Sequence, residues 1–214
     1  MDNIPPHLRE IVPDTLTVAA PDWWAEYGLV AAGWKQAPAP PRVVAFSQRD
    51  PRWANVKLGA SSYTMGSAGC AVTASAMVAT TVSASLTPLD LVNCLNANGG
   101  FTSGGLLYWS KIPACVPGLR FVQYHLWRDV AADLALLERA LATGPQVVQV
   151  DFKPTTTALD SHFVTALGFT ADKSDLNIID PWTGNAGTLL QLYGKPDWTL
   201  QRAVYALAHF AGGA

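Results

Sequence analysis

Four residues have side chains suited to nucleophilic acyl chemistry: Cys70, His162, Asp180 and Gln48. Cys70 lies in Gly66-Ser67-Ala68-Gly69-Cys70-Ala71-Val72-Thr73-Ala74-Ser75-Ala76-Met77, where a glycine-marked turn delivers a cysteine onto the first turn of an apolar helix. The aligned amides of a helix N-terminus carry about half a positive charge and favour an anion there. Cysteines so placed ionise more readily than a free thiol, and the thiolate is the form that attacks. The same segment also suits a small buried hydrophobe, because free cysteine is among the most buried residues. A nucleophile needs a base, and the chain has four histidines. His7 lies in a proline-rich lead-in, and His125 and His209 sit inside strand-like segments where structural roles are the ordinary reading. His162 opens Ser161-His162-Phe163-Val164-Thr165-Ala166-Leu167-Gly168 directly after the loop run 155–160, so its ring can line a cleft while its backbone is held in a sheet.

A catalytic imidazole also needs an orienting partner on its second nitrogen. Asp180 ends a strand-like 176–180 and precedes Pro181-Trp182-Thr183-Gly184. The runs 161–170 and 176–180 are close enough to form an antiparallel hairpin, which brings the end of the second strand beside the start of the first and Asp180 next to His162. Taken alone, Asp180 is an ordinary turn aspartate. Gln48, 22 residues before Cys70, offers a neutral amide donor to a developing oxyanion, with the Cys70 N–H as the second donor. Taken alone, Gln48 is a surface glutamine.

The elements that must hold these residues follow from periodicity and punctuation. The pattern predicts helices over 70–82, with Ala71, Ala74, Met77 and Val78 on one face, and from Thr87-Pro88 to Asn98-Gly99-Gly100. Ser103 is expected to cap a short helix through Leu106, Tyr108 and Trp109, and Asp129 a helix over 130–142 that stops at Gly144-Pro145. Strands are expected over 119–127, 146–152, 161–170, 176–180, 187–193 and 203–210. Helices first and strands afterwards indicate an α+β domain with an antiparallel sheet. Residues 1–42 read as a separate N-terminal extension, with Trp23-Trp24 in a short helix after Pro21-Asp22 and a stiff linker at Pro38-Ala39-Pro40-Pro41. Residues 43–214 form the main domain.

Composition narrows the partners. Charged residues are 14% of the chain and the net charge is −2, with no basic run to attract nucleic acid or anionic lipid. So sparse a charge leaves area for a homo-oligomer contact. No stretch approaches the roughly 18 apolar residues that span a bilayer, so no membrane association is expected. Met1-Asp2-Asn3-Ile4-Pro5-Pro6-His7 lacks the marks of a secretory signal, so the cytoplasm is the default location, with release by lysis or virion association open. Cys94 and Cys115 read as two structural thiols, although they could pair. The three cysteines match no metal spacing, Asp172, Asp175 and Asp180 do not have EF-hand spacing, and there is no dinucleotide fingerprint, so neither metal nor cofactor is expected.

Four blocks, in order, carry a resemblance: Phe46-Ser47-Gln48-Arg49-Asp50-Pro51-Arg52-Trp53, Gly66 to Met77, Ser161 to Gly168, and Ile179-Asp180-Pro181-Trp182-Thr183-Gly184. Together they resemble the bacteriocin-leader-processing (double-glycine leader) cysteine peptidase-like family, over about 43–210. The resemblance implies a papain-like fold, with Cys70 as nucleophile, His162 as base then acid, Asp180 as orienter and Gln48 in the oxyanion hole. The chain has no P-loop and no transporter segment, so it is similar to the stand-alone branch rather than to exporter-fused members. The implied substrate is a peptide or other amide. A phage-type lysin acting on peptidoglycan peptides is a second expectation, and an idle protease scaffold used for binding is a third.

Overall fold

The structure is a computed structural model that describes residues 43–127, 130–153 and 159–212. The extension 1–42, Asp129 and the loop run 155–158 lie outside the described residues. The fold is mixed helix and antiparallel sheet, α+β as the order of elements implies. Among the described residues four helices come first: α1 (Met65–Ala68), α2 (Cys70–Ala79), α3 (Pro88–Ala97) and α4 (Ile112–Cys115), the last entered through a 3-10 turn at Trp109–Lys111. Then come β1 (Leu119–Leu126), α5 (Leu134–Leu141), β2 (Gln146–Asp151), β3 (Ser161–Phe169), β4 (Leu176–Ile179), β5 (Ala186–Thr188), α6 (Leu189–Tyr193), α7 (Leu200–Ala203) and β6 (Ala206–Gly212). The six strands form one antiparallel sheet in the order β1-β6-β2-β3-β4-β5.

Both faces of the sheet are covered, and β2 is buried at every residue. Alternation along a strand sends neighbours to opposite faces. Val147 joins Met65, Met77, Leu91 and Ile112 in the core under α1–α4, while Val148 and Val150 join Leu137, Leu189 and Leu200 in the core under α5–α7. Gln146, fully buried in β2, donates to the carbonyls of Ala140, Gly144 and Phe210 and accepts from the Phe210 N–H, which ties the α5–β2 turn to β6. Helix α2 is not amphipathic: every residue from Val72 to Ala79 is buried. Its alanines let it lie close to the sheet, where Thr165 Oγ1 donates to the Ala74 carbonyl at 3.1 Å.

Several elements differ from expectation. The helix expected over 130–142 begins later, because Asp133 Oδ1 accepts the Leu136 N–H and sets the cap there. Residues 101–107 form a tight bridge between Phe101 and Leu107 rather than a helix capped by Ser103. Thr102 Oγ1 takes the Leu106 N–H, and Gly105 adopts φ +82°, open to glycine at little cost. The strand expected over 187–193 ends at Thr188, since the Asp175 carboxylate draws the Leu190 N–H and starts α6. The strand expected from 203 begins at Ala206, after α7.

The reading of Cys94 and Cys115 as two thiols is also corrected: they form a disulfide, since α3 and α4 pack together with these Cα atoms 5.7 Å apart. Among the described residues no helix is long and apolar enough to cross a membrane. The disulfide closes a loop of sequence separation 21. Replacing both cysteines by serine should lower the unfolding free energy by about 3 kcal/mol. Denaturant titration of the two proteins checks this, and equal midpoints would contradict it.

Candidate active site

Cys70 is the first residue of α2, half-buried and the free cysteine among the described residues. Its place depends on the residue before it. A Cβ on Gly69 would stand 2.4 Å from the Met65 carbonyl oxygen, so the chain can pass from α1 into α2 this tightly only with glycine there. First-turn N–H groups have no acceptor within their own helix, which leaves the Cys70 N–H free to serve a ligand.

His162 is the second residue of β3 and is buried, 5% exposed at the side chain. Its Nε2 donates to Asp180 Oδ1 at 2.8 Å. The Cys70 thiol lines the same cleft as this ring, and it acts with Asp180 to favour the charged imidazole. With Nε2 taken by Asp180, Nδ1 is the ring nitrogen left to serve the sulfur. Phe152 (ring centroids 4.9 Å apart) and Tyr193 (5.4 Å) pack against the imidazole and fix its plane.

The hairpin brings Asp180 to His162, but through a feature the even-spaced reading did not contain. Phe169 pairs with Leu176 and Gly168 with Asn177, and the register then slips by one so that Ala166 pairs with Ile178 and Thr165 with Ile179. Continued by one residue, the shifted register sets Asp180 opposite Val164, on the face that His162 shares. Without the bulge at Leu167, Asp180 would fall opposite Thr165 and face the other way. The carboxylate is then held by its own turn. The Trp182 N–H donates to Oδ1 at 2.9 Å, the Thr183 hydroxyl to Oδ2 at 3.0 Å, and Tyr193 adds its hydroxyl.

Gln48 is 1% exposed and sits where the first block meets the Asp180 turn. Its backbone N–H donates to the Pro181 carbonyl at 2.6 Å, and Trp53 Nε1 donates to the Ser47 carbonyl behind it. Side-chain Nε2 donates to the Gly66 carbonyl at 3.2 Å, which uses one of its two hydrogens, and Oε1 finds no partner among the described residues. Gln48, Cys70 and His162 line one cleft of about 880 Å³. One end of it is walled by Leu107, Trp109 and Tyr124, with Trp109 stacked on Tyr124 and edge-on to Phe163. Phe152 and Trp182 form the wall on the flank of His162.

All four candidates are therefore brought to one cleft or its floor. The sequence reading missed Tyr193, which it assigned to a strand, and gave no role to Phe152 or Trp182. Nothing in the 187–193 pattern marks Tyr193 as an Asp180 partner, whereas Trp182 was visible two residues after Asp180. His125 meets Gln123 Nε2 at 2.9 Å and stacks on Trp127, and neither it nor His209 lines the cleft. No protein-family model matches the chain, and no curated protein matches it at a significant level.

Burial pulls the His162 imidazolium down, but hydrogen bonds and charge from Asp180 and Cys70 outweigh it and raise the group from 6.5 to about 9. Asp180 moves the other way: burial pushes its carboxyl up, and the hydrogen bonds from His162 and Trp182 hold it below the usual carboxylate range. Burial, with the Asp180 charge added, pushes the Tyr193 phenol up, so it stays a donor. A folded-state value above the unfolded one means that the His162 proton stabilises the fold fully below about 6.5, and that this is lost as pH rises through about 9. The Asp180 contribution is present above 3.8 and is lost as pH falls through its depressed folded-state value. The stability advantage of the wild-type protein over His162→Gln should therefore narrow from pH 6.5 to 9. Denaturant titrations at a series of pH values test it, and a constant difference would contradict the charged pair.

Proposed function

We propose that the chain is a papain-like cysteine peptidase, a thiol-dependent hydrolase of peptide or other amide bonds, similar to the stand-alone branch of the double-glycine-leader peptidase-like family. The observation that carries this reading is the buried His162 imidazole, bonded to the Asp180 carboxylate in an open cleft that Cys70 and Gln48 also line.

In this mechanism His162 Nδ1 takes the Cys70 proton, and Asp180 supports the imidazolium that results. The thiolate adds to the carbonyl carbon. The oxyanion is met by the Cys70 N–H and by the second Nε2 hydrogen of Gln48, whose first hydrogen is held by the Gly66 carbonyl. As the tetrahedral adduct collapses, Nδ1 returns its proton to the leaving nitrogen, and the acyl group stays on sulfur. The neutral imidazole then takes a proton from water, which attacks the thioester and releases the acid and the thiol.

Cys70→Ala should abolish turnover of any amide substrate found by mass-spectrometric screening of peptide libraries, and full activity in that variant would overturn the reading. Loss of the Gln48 amide in Gln48→Ala should lower kcat by about 100-fold, with a smaller effect on KM. The kcat/KM profile should fall on the alkaline side near pH 9, where His162 loses its proton. In Asp180→Asn the carboxylate that raises this group is gone, so the alkaline limb should move to lower pH. An unmoved limb would show that another group sets it.

A further inference from the structure

We infer that Arg49, stacked on Trp182, binds a carboxylate carried by the amine-side fragment of the substrate. This rests on the thiol hydrolase reading, which fixes the direction of the leaving group. His162 must protonate the departing nitrogen, so that fragment passes along the His162 flank, where Phe152 packs edge-on to Trp182 with ring centroids 5.2 Å apart. The Arg49 guanidinium carbon lies 4.8 Å from the centroid of the Trp182 ring on that flank.

The stack is built into the backbone. The Gln48 N–H donates to the Pro181 carbonyl, the Ser47 hydroxyl donates to the Trp182 carbonyl, and the Arg49 N–H donates to Ser47 Oγ. Segments 47–49 and 181–182 are thus held together, and a guanidinium held over an indole face by cation–π attraction keeps its N–H donors for a ligand. Those donors have no ion-pair partner among the described residues. The neighbouring carboxylate, Asp50, is occupied by both forks of Arg52 at 3.0 and 2.7 Å. Asp160, the acidic residue that lines the cleft, faces Lys153 at 3.6 Å. An exposed arginine oriented by an aromatic platform, one residue from Gln48, matches the two-point recognition of a carboxylate. The carboxylate could be the α-carboxylate of a terminal residue or the side chain of an aspartate or glutamate just beyond the cleaved bond.

Three alkylating probes separate these cases without a known substrate: N-iodoacetyl-glycine, N-iodoacetyl-aspartic acid α-amide with a free side-chain carboxylate, and uncharged N-iodoacetyl-glycinamide. Labelling of Cys70 is followed by mass spectrometry on the full chain and on Arg49→Gln. The rate ratio of an acid probe to the uncharged probe should fall about fivefold in Arg49→Gln, the size expected of an exposed ion pair. It should also fall in the wild-type chain as salt is raised. The anion preference due to His162 and the helix end is common to both proteins, so it cancels in the comparison. The acid probe whose ratio falls names the source: the glycine probe a terminal carboxylate, the aspartate probe a side chain. Fast labelling with the same ratios in both proteins would overturn the Arg49 assignment and leave the thiol reading standing. Labelling of Cys70 by every probe no faster than a free thiol would overturn the thiol reading and this inference with it.

Discussion

A charged imidazole and a carboxylate held together out of water impose the strictest demand in this fold. Taking either ion from water costs several kcal/mol, and their mutual attraction alone does not reliably repay it. The chain meets the deficit with donors on Asp180: the Trp182 N–H, the Thr183 hydroxyl and the Tyr193 hydroxyl. Two belong to the 180–184 turn and the third to α6, so the pair is stable only when the turn and the helix are both in place. The turn is in turn braced by the first block, through the Gln48 N–H on the Pro181 carbonyl and the Ser47 hydroxyl on the Trp182 carbonyl. Gly184, at φ +81°, lies so close that a Cβ would come within 3.3 Å of the Ser47 nitrogen. The oxyanion donor and the orienting acid thus share one scaffold.

Delivery of the sulfur is a separate problem with a separate solution. A helix buried on all sides cannot roll to adjust its first residue, and α2 is buried from Val72 to Ala79. Its position is set by small side chains, by the Thr165–Ala74 hydrogen bond to β3, and by the Gly69 corner that no larger residue fits. β3 therefore carries both the imidazole and the contact that fixes the nucleophile helix against it. A displacement of that strand moves both partners together, which preserves their relative geometry.

The legible part of the molecule was what local chemistry signals directly. Thr87-Pro88 forms the predicted cap, with the Thr87 hydroxyl and Asp90 exchanging hydrogen bonds, and the apolar strand runs 146–152 and 161–170 are β2 and β3 to within a residue or two. The juxtaposition of His162 and Asp180 was legible from the hairpin, but only because an unforeseen bulge restored the face. A strict two-residue alternation gives the wrong side for Asp180, and no residue at 166–168 marks the slip beyond Gly168. Tyr193 was illegible for a related reason. Gly187 to Tyr193 contains β-compatible residues, and what turns Leu189–Tyr193 into a helix is a carboxylate far back in the chain, Asp175, which takes the Leu190 N–H. The Cys94–Cys115 pairing likewise depends on how α3 packs on α4, which spacing alone does not encode.

The strand that carries His162 also links the chemistry to the shape of the cleft. Successive residues of a strand face opposite ways, so β3 turns His162 toward Phe152 and Tyr193 and turns Phe163 toward Trp109. Trp109 opens the 3-10 turn that runs into α4, and α4 is tied to α3 by the disulfide at Cys115. The wall at the far end of the cleft is therefore braced from behind by a covalent link, and from in front by the residue next to the imidazole. Neither of these restraints on the Trp109 wall passes through the hydrogen bonds of the His162–Asp180 pair, whereas the Trp182 N–H itself donates to Asp180. Residues of the Trp109 wall can vary in size without disturbing the charged pair, whereas a change at Trp182 or Tyr193 alters the donors or the aromatic cover that make the pair affordable. Selectivity on the Trp109 side is thus separable from the chemistry, and selectivity on the Trp182 side is coupled to it.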